Sequence, residues 1–236
     1  MREPTALRVR GLVSGYAEVK VIRDLSATIS AGKVTVLVGH NGAGKTTLAK
    51  TLIGTIRSQH GEILLGDRDL TGLSVRERIR CGLALVLQEA AVFPTLSVTE
   101  NLEFVRRRVP KGSTAATLAT VWDAYPALAQ ARHRMAAALS GGQQRMLAIA
   151  MGVLLNPSLL ILDEPSLGLS PLIVHEVMVR TRAITQQTGA GVLLIEQNID
   201  AAMRVADDVL AMRNGDMVFA GPRSALKTPA DMMSLL

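Results

Sequence analysis

Residues 39–47 read GHNGAGKTT, so Gly39 and Gly44 enclose four residues ahead of Lys45 and Thr46. This is the spacing of a phosphate-binding loop when a strand precedes it and a helix follows. Glycines let backbone N–H groups curl around phosphate oxygens, and the following helix aims its positive end at them. The expected cradle is the whole run: Gly39, His40, Asn41, Gly42, Ala43, Gly44, Lys45, Thr46 and Thr47. Lys45 would place a point charge on the outer phosphates, and the Thr46 hydroxyl could ligate Mg²⁺. A glycine-rich turn with no ligand is the alternative, but here an apolar run leads directly into the loop.

Three further stretches carry chemistry. Residues 159–165, LLILDEP, end an apolar run in adjacent carboxylates. Asp163 is the candidate for the Mg²⁺ shell, and Glu164 for polarising a water attacking the outermost phosphate. Two buried carboxylates beside phosphates are costly unless a metal and a proton-transfer task offset them. Residues 139–144, LSGGQQ, open an apolar helix, and Ser140, Gly141, Gly142 and Gln143 make a second phosphate-binding helix end. One cap would not need both glycines. Residues 192–198, VLLIEQN, stop an apolar run abruptly in a carboxylate and two amides. Gln197 supplies one of those amides, and a strand end capped by a neutral amide is one reading of it.

These groups need a scaffold that brings them together. Residues 34–38, 83–87, 159–162 and 192–195 are short continuous aliphatic runs, the pattern of strands buried on both faces of a parallel sheet. Residues 7–30 alternate and carry turn residues, which suits antiparallel strands. Ser170 and Pro171 can open a helix whose Val174, Val177, Met178 and Ile184 share one face before Gly189 stops it. Asn214 and Gly215 read as a hairpin turn between residues 209–212 and 217–220. Alternating strands and helices predict an α/β sheet with its ligand outside the carboxyl ends of the strands. Those ends carry Gly39, Gln88, the Asp163 and Glu164 pair, and Glu196 with Gln197.

The 236 residues are 48% hydrophobic and 19% charged, which excludes a disordered chain. The longest nearly apolar stretch, residues 146–155, is too short to span a bilayer. No secretory leader is legible at the start, and a single cysteine, Cys81, cannot form an internal disulfide, which fits a reducing compartment. The net charge of +6 favours an anionic partner. Arginines concentrate at Arg76, Arg78 and Arg80, and at Arg106, Arg107 and Arg108 with Lys111. Solvated helix faces and contact with phospholipid headgroups both fit them. With aromatics at 3%, a nucleic-acid platform has little support.

Taken in order, the phosphate loop, Gln88, LSGGQ, Asp163 with Glu164 and the final switch position resemble the ATP-binding cassette family along nearly the whole chain. The resemblance implies an α/β fold over residues 1–236. It comprises a RecA-like P-loop NTPase core with a mostly parallel sheet, an N-terminal antiparallel β subdomain and an inserted helical subdomain, about 89–156. It implies ATP and Mg²⁺ as ligands, Gln88 as a metal- and water-contacting glutamine, and Tyr16 as the ring that stacks on adenine. An ordinary strand tyrosine remains open at Tyr16.

Two cassettes, copies or paralogues, would pair head to tail, each signature helix closing on the other's nucleotide. Both would sit at the cytoplasmic face of the inner membrane, on permease subunits that a solute-binding protein serves. Gln197 stands where most of the family places histidine, so the resemblance implies that its amide reaches the outermost phosphate, although an amide cannot carry a positive charge. That departure, the missing aspartate in EPSLGLSP (164–171) and the run VFPTLSVTENL (92–102) are similar to ATPases of branched-chain amino-acid importers. The stretch after Gln88 is also similar to the lipopolysaccharide-export ATPase. A soluble regulatory cassette would need a second marker set or sustained heptads, and neither occurs. A module that binds ATP without hydrolysing it is disfavoured by Glu164.

Overall fold

The computed structural model describes residues 5–89, 91–108, 117–226, 228 and 231. Lys111 lies outside them. Two sheets organise the chain. The first is antiparallel and begins with β1 (Leu7–Tyr16) and β2 (Val19–Ile29), as the alternating opening predicts. The second starts with β3 (Val34–Val38), which feeds the phosphate loop and then α1 (Lys45–Ile53). β4 (Ser58–Leu65) and β5 (Arg68–Asp69) return to the first sheet, completing the order β2-β1-β4-β5. The chain then enters α2 (Val75–Cys81) and β6 (Leu83–Val86).

Between β6 and the next strand lies a helical stretch: α3 (Val98–Arg106), α4 (Leu118–Ala124), α5 (Pro126–Gln130) and α6 (Gly141–Leu154). β7 (Leu159–Asp163), α7 (Pro171–Thr188), β8 (Gly191–Ile195), α8 (Ile199–Met203), β9 (Asp208–Arg213) and β10 (Asp216–Pro222) follow. The second sheet has the order β10-β9-β3-β8-β7-β6. β3 pairs parallel with both β8 and β9, β7 with β8 and β6; β10 alone runs antiparallel. β3 therefore sits inside the sheet, and its carboxyl end opens between two neighbours.

The continuous aliphatic runs are explained by what covers each face. Successive side chains of a strand point to opposite sides. Val34, Val36, Val38, Leu160, Leu162, Val192 and Leu194 join one core, with apolar residues of α3, α6 and α7. Leu37, Ile161, Leu193 and Ile195 join another, with α1 and the antiparallel sheet. Both faces are dry, so both parities must be apolar.

Local rules terminate the elements. α7 ends at Gly189 with φ +71°, and all four of its predicted core residues are buried. Ser170 stands at the N-cap of α7, but its side chain makes no capping hydrogen bond; Pro171 alone sets that start. Asn214 and Gly215 both take positive φ, 52° and 89°, the backbone of a tight hairpin whose twist matches its strands.

Arg78 departs from the reading of a solvated basic face. Its side chain is 2% exposed, whereas Arg76 and Arg80 are exposed. Its guanidinium donates to the carbonyls of Thr51 at 2.7 Å, Leu52 at 2.9 Å, Thr71 at 2.8 Å and Leu73 at 3.0 Å. Two of those acceptors belong to the last turn of α1, where helix carbonyls lack intrahelical partners and carry partial negative charge. Arg106, Arg107 and Arg108 are exposed as read; Arg107 pairs with Glu103 at 3.6 Å, and Arg108 lies 3.7 Å over the Phe104 ring.

Candidate active site

The carboxyl ends of β3, β6, β7 and β8 converge. Asn41, Gly42, Gly44, Lys45, Thr46, Thr47, Gln88, Glu164 and Gln197 line one cavity of about 570 Å³, with Val21 and Leu167 completing its wall. Side chains separated by over a hundred residues in sequence thus share one space, because parallel strands in register deliver their ends to one edge.

The loop's own geometry requires its glycines at two points. A Cβ on Gly39 would stand 2.4 Å from the Met212 carbonyl oxygen of β9, a backbone atom that cannot yield. Gly44 takes φ +104° at the N-cap of α1, a left-handed conformation that only glycine adopts freely. Ala43 is buried and its N–H donates to the His40 carbonyl at 3.1 Å, closing the curve. Lys45 is 5% exposed, and its Nζ donates to the carbonyls of Gly39 at 2.6 Å and His40 at 3.1 Å. Burial pulls the Lys45 ammonium below its ordinary pKa, while Glu164 and Asp163 act in the opposite direction.

Opposite the loop, Thr46 Oγ1 donates to Asp163 Oδ1 at 3.4 Å. Asp163 is buried, and desolvation holds its carboxyl above the usual carboxylate range, with the Thr46 hydroxyl opposing. Among the described residues no group of three or more His, Cys, Asp or Glu side chains could enclose a metal. One hydroxyl and one carboxylate, beside a loop suited to phosphates, are instead the hard-oxygen set that Mg²⁺ takes when substrate oxygens and water complete its shell.

Glu164 is buried and holds φ +47°, a left-handed backbone on a residue with a Cβ. Such a conformation costs about 1–3 kcal/mol and persists where the surroundings enforce it. Its N–H donates to the Ile195 carbonyl at 2.9 Å, and its Oε1 accepts from Gln197 Nε2 at 2.6 Å. The Gln197 amide, expected at a phosphate, is engaged with the Glu164 carboxylate while it lines the same cavity.

Of the expected residues, Gly39, His40, Ala43 and Asp163 stand beside lining residues without lining the cavity themselves, and five more come from other parts of the chain. Tyr16, at the end of β1, is 50% exposed. Ser140, Gly141, Gly142 and Gln143 open α6 elsewhere on the chain. There the Ser140 hydroxyl accepts from the Gln143 N–H at 3.3 Å, and Gln143 Oε1 accepts from the Ser140 N–H at 3.1 Å. This reciprocal capping box satisfies two helix-end donors. The two glycines differ in cause. A Cβ on Gly142 would meet Ile173 Cγ2 at 2.9 Å, so packing against α7 requires that one. Around Gly141 nothing lies within 4 Å, and no contact inside this chain asks for a glycine there.

Sequence reasoning missed two groups behind the cavity. Arg145, one turn into α6, is buried and donates to the carbonyls of Leu87 and Gln88, fixing the backbone that presents the Gln88 side chain. Glu196, noted only as a polar strand end, is buried and aims inward. Its sole sequence signal is a charge placed immediately after an otherwise apolar run.

Comparison with known proteins places the chain in a family. The family profile described as ABC transporter matches residues 22–167. The high-affinity branched-chain amino acid transport ATP-binding protein BraG of Pseudomonas aeruginosa is 34% identical, over 90% of this chain and 91% of its own length. The probable branched-chain amino acid transport ATP-binding protein LivF of Archaeoglobus fulgidus is 32% identical, over 93% of each chain. Among solved structures, an ATP-binding subunit of an ABC transporter superposes with a TM-score of 0.81 at 26% identity, covering 97% of this chain and 93% of that one. A family profile matched over more than half of the chain, and two relatives above 30% identity covered nearly end to end, make the chain a member of the ABC transporter family.

Proposed function

We propose that this ABC transporter ATPase powers the import of branched-chain amino acids or related small solutes. One observation carries the enzymatic part: the phosphate loop and Glu164 line the same cavity, with Asp163 hydrogen-bonded to the loop's threonine. The amides of residues 39–47 and the Lys45 ammonium would hold the phosphates, Lys45 exchanging the Gly39 and His40 carbonyls for phosphate oxygens. Thr46, Asp163 and Gln88 would hold Mg²⁺, which when bound neutralises charge on the transferring phosphoryl group. Glu164 would accept a hydrogen bond from the attacking water, and Gln197 would hold that carboxylate in place. Tyr16 would stack on adenine, its exposed ring being free to do so.

The signature residues support the paired assembly. They do not line this chain's own cavity, and Gly141 presents open space where a second cassette's phosphate could approach the α6 amino end. We assign the pair to the cytoplasmic face of the membrane, docked on permease subunits that receive solute from a binding protein. Among the described residues no helix is long and apolar enough to cross a membrane.

The docking surface would be residues 92–102. Asn101, fully buried, accepts from the Phe93 N–H at 2.8 Å and donates to the carbonyls of Phe93, Leu96 and Ser97, which fixes the loop. Phe93 is left 40% exposed, edge-on to Phe104 at 4.5 Å between ring centroids. The solute assignment rests on likeness to the two branched-chain relatives.

The test is phosphate release and leucine uptake by the chain with its membrane subunits in liposomes, supplied with Mg²⁺ and ATP. Both are expected, with E164Q abolishing turnover. Failure of the parent to bind ATP in the presence of Mg²⁺ overturns the enzymatic reading. Turnover without uptake of any branched-chain amino acid overturns the solute. F93D should uncouple turnover from uptake.

A further inference from the structure

Glu196 is 2% exposed, and its carboxylate accepts hydrogen bonds from the backbone of two loops beside the cavity and from the Ser166 side chain. Oε1 accepts from the Ser166 N–H at 2.9 Å; Oε2 accepts from the N–H groups of Gln197 at 3.2 Å and Asn198 at 3.5 Å. One side chain therefore bridges the loop that follows Glu164 and the loop that follows β8. Two bonds run parallel to that bridge: Glu164 N–H to the Ile195 carbonyl, and Gln197 Nε2 to Glu164 Oε1. Together they over-determine a segment whose Glu164 sits in a strained left-handed conformation.

The loop after β8 does not need a carboxylate merely to start the next helix. Asn198 already caps α8, its Oδ1 accepting from the Ala201 N–H at 3.1 Å. A buried carboxylate survives when N–H donors and an opposite charge offset its desolvation. Arg145, which grips the Leu87 and Gln88 carbonyls, adds an attractive opposite charge nearby without forming an ion pair to Glu196. Arg145 thus ties the helix that opens on the signature residues to the Gln88 loop, and Glu196 ties the loops bearing Glu164 and Gln197 to each other.

We propose that Glu196 is a positioning residue for ATP hydrolysis: by binding the Ser166 and Gln197 amides together, it holds the Glu164 carboxylate and the Gln197 side chain in mutual register at the cavity. The inference rests on the hydrolytic reading above. Its consequence is a rate effect without a binding effect. The Glu196 side chain does not line the cavity, so nucleotide affinity is untouched, while the aim of Glu164 loosens.

E196Q keeps shape and one acceptor but turns an NH₂ donor toward the N–H groups that the carboxylate received. In steady-state phosphate release by the full chain with its membrane subunits, E196Q should lower kcat about tenfold, equivalent to ~1.4 kcal/mol of barrier. KM for ATP should stay within about twofold, and the melting temperature should not fall. Because Glu196 and Gln197 act through the same carboxylate, E196Q combined with Q197A should cost no more than the larger single loss.

A parent that turns over no ATP sinks the hydrolytic reading. An active parent with E196Q at the same kcat overturns this inference alone, as does a kcat loss matched by an equal loss of ATP affinity or by multiplicative losses in the double variant. Should E196Q fail to fold, amide hydrogen exchange on the parent decides. Slow exchange at Ser166 and Gln197 supports the bridge, and exchange as fast as at neighbouring Gly168 refutes it.

Discussion

Truncating Arg78 should be among the most damaging single changes in this chain, far more than a surface arginine. Four hydrogen bonds, all to backbone carbonyls and all 2.7–3.0 Å, would lose their donors. Hydrogen bonds to charged groups contribute about 1.5–3 kcal/mol each, so simple addition exceeds 6 kcal/mol. Additivity fails within one network, and water entering the vacated space would satisfy some of the carbonyls. A loss of about 4 kcal/mol for R78A is the resulting expectation, in the range found when one member of a buried polar cluster is removed.

R78K separates charge from geometry. An ammonium keeps the favourable interaction with the α1 carboxyl end but cannot fork to four acceptors, so about 2 kcal/mol should be lost. With a urea slope near the upper part of its range of about 1–3 kcal/mol/M, the unfolding midpoints should fall by roughly 1.5 M for R78A and 0.7 M for R78K. R76A, on the exposed face of the same helix, should move the midpoint by no more than about 0.2 M. Midpoints for R78A and R76A that agree would show that the four contacts contribute nothing net, and the reasoning would fail.

Three further outcomes follow from the site. Q197A removes the donor to Glu164 and should reduce kcat by about tenfold to a hundredfold with KM unchanged, since charge-assisted bonds are worth about 1.5–3 kcal/mol; hydrolysis at the parental rate would remove the assigned role. G142A should destabilise the fold by about 1–2 kcal/mol, because its Cβ would press on Ile173, whereas G141A should leave the melting temperature equal or higher yet lower turnover; equal effects on stability would contradict the packing. Finally, burial holds the Glu196 carboxyl above the ordinary carboxylate range, against the Ser166, Asn198 and Gln197 hydrogen bonds. A carboxyl whose folded pKa is raised contributes stability below its unfolded value and loses it as pH climbs through the folded one. The parent should therefore lose stability relative to E196Q as pH rises from about 4 toward neutrality. Melting curves in which the parent instead gains would reverse the sign and refute it.

Much of the site was legible because its chemistry is local. Nine consecutive residues supply the backbone amides, the ammonium and the hydroxyl of the phosphate loop, so their spacing alone announces them. The four aliphatic runs announced strands with two buried faces, and strands of that kind, run parallel, must present their polar terminal residues along one edge. Gly189 and the Asn214 and Gly215 pair marked element ends through conformations that few residues adopt.

Partnership was not legible. Arg78 and Arg80 differ only in which way the same short helix turns them, yet one is buried and the other exposed. Gln197 was read toward a phosphate because its position suggested so; the acceptor it meets is a carboxylate 33 residues away in the chain. The two glycines of the signature looked equivalent, until Ile173 supplied a packing cause for one of them.

By itself, then, the sequence determined the layered α/β plan, the phosphate loop and the carboxylates that face it, since these depend on periodicity and on neighbouring residues. Only the tertiary structure decided that Glu196 joins two loops, that Arg145 braces the Gln88 backbone and that Arg78 closes α1. Each of these ions reaches backbone groups far along the chain. Backbone N–H and C=O groups are the same at every position, so no residue code names such a partner. Folding alone brings it within hydrogen-bond distance.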